Sequence, residues 1–237
     1  MSFNHNNVRL RHHQTTTFAQ LRSDKNQLFL LDGGTGEELF RRGVPNDRTI
    51  WSAIAIVDPA YHDTLKQVHA SFIEAGSQAI TTNSYGFGMV FQNVNELQQH
   101  LAKAGELANE SAGDKEDVIV LGSLGPLVES YRPDKILNHD LGVERYSKMK
   151  GALMPYVDAF LVETMSSFEE STQAIEAVGG DLPLLVSYTL DSNGNLRSKE
   201  LVTFGISRLL DFTALRNVDC KYATRYLQMT RFQQCHV

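Results

Sequence analysis

The amino-acid sequence is expected to fold as an α/β protein on a parallel sheet, and three observations lead there. Apolar runs of four or five residues alternate with longer stretches of helical periodicity. Each run ends in glycine or a polar side chain, and the pairing recurs five or six times. A run that is apolar at every position belongs to a strand covered on both faces, as the strands of parallel sheets are. With 237 residues, 42% of them hydrophobic, the chain can bury one sizeable core, and no break in composition marks a second domain.

Residues 1–27 are polar and are expected to form an N-terminal tail. The first strand is residues 28–31 (LFLL). It runs into Asp32 and then Gly33, Gly34 and Gly36, which let the backbone turn sharply and leave room beside the carboxylate. Glu37, Glu38 and Leu39 open a helical pattern. Asp58 and Pro59 supply an N-cap and a first-turn proline. Behind them Leu65, Val68, Phe72 and Ile73 keep helical spacing up to Gly76. Residues 78–82 read as a second strand, and residues 95–112 as a helix through Leu97, Leu101, Ala104, Leu107 and Ala108. Strands come next at 118–121, 159–162 and 184–187. Helices are expected at 141–153 and at 167–178, the latter capped by Ser166 or Ser167 with Glu169 and Glu170 in its first turn. A helix at 204–215 and a short strand near Val218 complete the pattern.

Lys and Arg number 22 against 28 Asp and Glu, a formal charge of −6 with no basic stripe, so no nucleic-acid partner is expected. Apolar runs such as residues 53–57 are far shorter than the ~18 residues of a membrane helix, and no membrane segment or signal-peptide core is expected. Two cysteines, Cys220 and Cys235, make no disulfide framework, and a cytoplasmic setting is expected. Neither GxGxxG nor GK[ST] occurs. The lysines Lys103, Lys115, Lys135, Lys148 and Lys150 fall on helices or loops, which excludes a strand-borne Schiff base. His62 and His69 share a helix without an HExxH pattern and read as core or surface side chains.

The chemistry-bearing residues gather at strand ends: Asp32, Asn83, Ser123, Glu163 and Asp191. Strand carboxyl ends are where β/α barrels and open α/β sheets both place their sites. Closing the strands into a barrel brings all of these ends to one face. An open doubly wound sheet spreads them along an edge, and the residues alone leave both arrangements open.

Taken together, Asp32-Gly33-Gly34, Trp51-Ser52, His69 with Ala75-Gly76, Thr82-Asn83-Ser84-Tyr85, the run from Gly122 to Pro126, Glu163-Thr164 and the run from Val186 to Asp191 resemble the homocysteine S-methyltransferase family over roughly residues 28–200. The resemblance implies a TIM-type (β/α)8 barrel, zinc as cofactor, and transfer of a methyl group from a sulfonium donor, S-methylmethionine or S-adenosylmethionine, to homocysteine. It further implies that Asp32 and Glu163 anchor the homocysteine amine, that backbone amides near Gly33 or Ser123 take its carboxylate, and that Asn83 lies in the same substrate site. The chemistry is coherent. A thiol with a pKa near 8.5 is a poor nucleophile until deprotonated, and zinc with an open position binds it as thiolate. Attack on a sulfonium methyl then needs alignment more than proton transfer.

Toward the C-terminus the likeness thins. The family takes its first zinc cysteine from a motif near the position of Asn217-Val218-Asp219-Cys220, so Cys220 is the expected metal ligand. The adjacent cysteine pair that completes the site in the family is absent. Cys235 and His236 stand in a polar stretch. Residues 201–237 are therefore expected to be a divergent or truncated C-terminal segment behind an incomplete barrel of about six βα units. The alternative function is a non-catalytic homologue that binds an amino acid without zinc.

Overall fold

The computed structural model describes residues 29–115 and 117–201. The expected tail, the helix at 204–215, the strand near Val218 and Cys220 lie outside them. Four parallel strands form one sheet: β1 (Ala79–Thr81), β2 (Ile119–Leu124), β3 (Ala159–Met165) and β4 (Leu184–Tyr188), ordered as in the chain. Pairing is parallel throughout, with Ala79 beside Ile119, Leu121 beside Ala159 and Leu161 beside Leu185. The α/β class and the parallel sheet thus agree with the sequence pattern.

The expected first strand differs. Among the described residues Leu31 makes a single parallel bridge, to Ala79, and Leu30 is 53% exposed rather than covered on both faces. The backbone pairs briefly, through Gln78 N–H to the Leu30 carbonyl and Asp32 N–H to the Ala79 carbonyl. It then turns away at Gly33 before a ladder can form. A Cβ on Gly33 would fall 2.9 Å from Cε1 of Phe72, so any other residue at this turn would have to displace the Phe72 ring.

Helices separate the strands. After α1 (Thr35–Arg41) a short turn, Trp51–Ala53, runs into α2 (Ile54–Val57), so the apolar run at 53–57 is helical. Asp58 caps the turn Pro59–Tyr61, which leads into α3 (His62–Glu74), closed by Gly76 at φ +102°. Beyond β1 come α4 (Phe87–Val90) and α5 (Val94–Ala112). Asn93 caps α5 by accepting from the N–H groups of Asn95 and Glu96. Its apolar stripe, Leu97, Leu101, Ala104, Leu107 and Ala108, is buried as its spacing requires. The last two helices are α6 (His139–Leu153) and α7 (Phe168–Val178), the second capped by Ser167.

Two apolar clusters flank the sheet. The outer-face residues Ile80, Val120, Leu124, Phe160, Val162 and Val186 join the helices in the larger one. The inner-face residues Ala79, Ile119, Leu121, Ala159, Leu161 and Leu185 form the other with Phe29 and Leu31, and no helical side chain belongs to it among the described residues. Side chains on one face of a strand recur every two residues. Two positions past Ala79, Leu121, Leu161 and Leu185 stand Thr81, Ser123, Glu163 and Ser187. Each described strand thus turns polar on its inner face toward its carboxyl end.

Candidate functional site

A cavity of about 350 Å³ opens at those strand ends, and Asp32, Gly33, Asn83 and Glu163 all line it, with Thr81, Tyr85, Leu161 and Ser187. The Asp32 carboxylate is fixed by Thr81, whose backbone N–H donates to Oδ2 at 2.7 Å and whose hydroxyl donates to Oδ1 at 2.9 Å. Burial nevertheless raises its pKa to about 6, with the two Thr81 hydrogen bonds opposing the rise. Glu163 accepts a hydrogen bond from the Ser123 hydroxyl at 2.5 Å. Burial lifts its pKa to about 7 against that hydrogen bond, and the negative charge of Asp32 adds to the rise. Among the described residues no Lys, Arg or His lines the cavity.

Backbone geometry aims Glu163. Between Val162 and Met165 the pairing with β4 shifts register, and Thr164 takes φ +65°, a left-handed conformation unusual for a β-branched residue. Its N–H donates to the Ser187 hydroxyl at 3.2 Å. Such strain costs on the order of 1–3 kcal/mol and collects where a side chain must point in one direction.

Ser123 supports rather than lines the cavity. Fully buried, it gives its hydroxyl to Glu163, while its N–H donates to the Thr82 hydroxyl oxygen at 2.9 Å. That amide, expected to take a ligand carboxylate, already has an acceptor. Ser84 donates to the Ser123 carbonyl at 2.9 Å, so in the 2.8 Å Thr82–Ser84 contact Thr82 is the donor. Thr82 and Ser84 thus form a proton-ordered pair closed on the Ser123 backbone, and the Ser123 hydroxyl alone reaches Glu163. Asn83 reaches the cavity wall, yet its carboxamide N–H donates to the Ser52 carbonyl at 2.8 Å. Asp191 is not part of this lining; its carboxylate closes a local turn by accepting from the N–H groups of Asn193 and Asn195.

Beyond Ser52 and Tyr85, which both cavities share, lies a second cleft of about 550 Å³ walled by Trp51, Phe87, Met89, Val128 and Tyr131. Trp51 and Tyr131 are themselves at φ +48° and +66°. Burial pushes the Tyr85 phenol up to about 12, so it stays protonated, and its hydroxyl pairs with that of Ser130 at 2.7 Å. Glu129, also in this cleft, is held below the usual carboxylate range chiefly by its hydrogen bond from Lys135.

Sequence reasoning assigned no role to Thr81, Thr82, Ser84, Ser187 or the strained Trp51 turn. The two-residue alternation past the buried strand cores was the available signal for Thr81 and Ser187. The expected zinc ligand Cys220 lies outside the described residues, and among those described no group of three or more His, Cys, Asp or Glu side chains could hold a metal ion. The described residues therefore do not fit zinc.

The sequence model of the family described as homocysteine S-methyltransferase matches residues 29–218. The chain is 28% identical over 224 residues to homocysteine S-methyltransferase of Escherichia coli K12, a match covering 82% of this chain and 65% of that one. It is 24% identical over 203 residues to homocysteine S-methyltransferase 1 of Saccharomyces cerevisiae, covering 72% and 60%. The chain thus spans just under two thirds of the length of these relatives. Its fold is similar to the crystal structure of the metallated homocysteine methyltransferase MmuM of Escherichia coli, with a TM-score of 0.70 at 24% identity over 81% of this chain and 74% of that one. With the family match running through every strand of the sheet and both cavity carboxylates, the chain belongs to the homocysteine S-methyltransferase family.

Proposed function

We propose that the chain binds homocysteine in the Asp32/Glu163 cavity and transfers to it a methyl group from a sulfonium donor, giving methionine. The observation that carries the reading is a cavity with two carboxylates and, among the described residues, no cationic side chain in its lining. Buried charges need a partner, and the pair is complete only when a cation enters. An α-ammonium supplies it, with its three N–H donors shared between Asp32 and Glu163. The ligand carboxylate is assigned to the backbone around Gly33.

The thiol then points toward the second cleft. Because Lys135 already pairs with Glu129 and the Arg197 guanidinium already lies 4.8 Å over the Tyr131 ring, the aromatic faces of Trp51 and Tyr85, rather than a carboxylate, are the groups to hold a sulfonium there. In the transfer the sulfur lone pair forms the new S–CH3 bond as the donor's S–CH3 bond breaks. The donor leaves as a neutral thioether and the thiol proton passes to solvent. Alignment of the two sulfurs on the methyl carbon is what the adjoining cavities contribute.

The sequential parallel strand order supports placing residues 28–200 in a (β/α)8 barrel that acts as the homocysteine-binding unit, and the cytoplasmic setting is kept as part of this proposal. The alternative is an amino-acid binder that transfers nothing, for which the Asp32/Glu163 cavity by itself suffices. Incubation with homocysteine and S-methylmethionine or S-adenosylmethionine, with and without added zinc, separates the two by mass spectrometry of methionine. Methionine above the protein-free control supports the transferase. Homocysteine binding without methionine selects the alternative, and absence of homocysteine binding overturns both.

A further inference from the structure

The two cavities share a wall, and one hydrogen bond crosses it. Asn83 is 7% exposed and lines the carboxylate cavity, while its carboxamide N–H donates to the Ser52 carbonyl at 2.8 Å. Ser52 directly follows Trp51, whose φ of +48° a bulky residue holds only when its surroundings impose it. Three further restraints act on the same turn, the first being the Ile54 N–H, which donates to the Trp51 and Ser52 carbonyls. The Trp51 N–H donates to the Asp47 carbonyl at 2.6 Å. The indole lies against Gly86, where a Cβ would come within 3.0 Å of Cε3. Of these four restraints only Asn83 comes from a residue that also lines the carboxylate cavity.

We propose that Asn83 is a positioning residue for Trp51: its carboxamide holds the strained turn that presents the indole to a sulfonium donor in the second cleft. The donor part rests on the functional reading above; the restraint on the turn does not. Without the Asn83 N–H the Ser52 carbonyl keeps only its local backbone partner, the Ile54 N–H, so Trp51 relaxes toward negative φ and the ring leaves the cleft wall. One hydrogen bond thereby links the wall of the amino-acid cavity to the shape of the donor cleft.

Trp51 is the single tryptophan of the chain, so its fluorescence reports on this turn alone. Asn83→Ala, and the isosteric Asn83→Asp, which lacks the N–H, are compared with the parent by emission maximum, by acrylamide quenching, and by titration with S-methylmethionine. Both variants should shift the ligand-free emission and quench more readily while keeping the parent's far-UV circular dichroism. Their dissociation constant for S-methylmethionine should rise about five- to tenfold, the worth of one buried hydrogen bond. Gly86→Ala, which pushes the ring directly, should move the same signal with Asn83 in place. A folded Asn83→Asp whose emission and quenching match the parent overturns the proposal, as does a lowered melting temperature without a fluorescence change. Where Asn83→Ala does not fold, the isosteric variant decides. If the parent itself fails to bind S-methylmethionine, the donor placement falls, and the ligand-free emission still decides the positioning role.

Discussion

Replacing Glu163 with glutamine removes a titrating group from the cavity while keeping its shape, and the effect on stability has a defined pH direction. Burial, partly offset by the Ser123 hydrogen bond and reinforced by Asp32, lifts the Glu163 carboxyl from 4.5 to about 7. The folded chain therefore holds that proton more tightly than the unfolded chain does. The resulting stabilisation is complete below pH 4.5 and is lost as the pH rises through about 7. At about 1.4 kcal/mol per unit the displacement corresponds to roughly 3 kcal/mol, which the opening of the cavity to solvent reduces to about 2 kcal/mol. Glutamine still accepts the Ser123 hydroxyl through its carbonyl oxygen and has no proton to lose. Asp32, Glu170 and His69 titrate in both chains, so the difference isolates Glu163 and its coupling to Asp32. Urea unfolding at intervals from about pH 4.5 to 8 measures that difference. Glu163→Gln should gain about 2 kcal/mol on the parent between the acid and alkaline ends of the range. It should be the more stable chain once Glu163 would be charged beside Asp32. A flat difference would mean that Glu163 titrates as it does in water, and the argument from burial would fail.

The opposite pH dependence is expected at His69, which is fully buried on α3 with neither ring nitrogen hydrogen-bonded among the described residues. Burial lowers its pKa from 6.5 to about 4, so stability is full above pH 6.5 and declines as the pH falls toward about 4. His69→Leu should remove roughly 3 kcal/mol of that acid loss when the unfolding series is extended down to about pH 4, and an unchanged acid limb would refute the assignment. At Gly125 an added Cβ would overlap the Tyr85 carbonyl oxygen and lie 2.8 Å from its ring. Gly125→Ala should therefore destabilise by about 1–3 kcal/mol. Parental stability in denaturant would show that the β2 loop yields more easily than this contact implies.

Features differ in how legible they were from the sequence because they rest on different physics. The βα alternation was readable because buried parallel strands are apolar at every position, and strands at 118–121, 159–162 and 184–187 needed no more than that. Asp32, Asn83 and Glu163 could be read as candidates from their places at strand ends, and they do line one cavity. The first strand was over-read, since four apolar residues in a row do not reveal that the pairing with β1 ends at Gly33 after one bridge among the described residues. The left-handed turns at Trp51 and Thr164 were invisible, because composition places such turns at glycine and asparagine. The partition of Ser123 between support and contact depends on a hydroxyl rotor and on which amide finds Thr82 first. No pattern of residue types encodes that.

The assignment of an ammonium to the two carboxylates is tested most directly by calorimetry with homocysteine and with 4-mercaptobutanoate, which differs from it by the amine alone. The parent chain should prefer homocysteine by at least about tenfold, the worth of one charge-assisted hydrogen bond. In the Asp32→Asn, Glu163→Gln double variant that preference should vanish. A double variant that still favours homocysteine by the parent's margin would contradict the account.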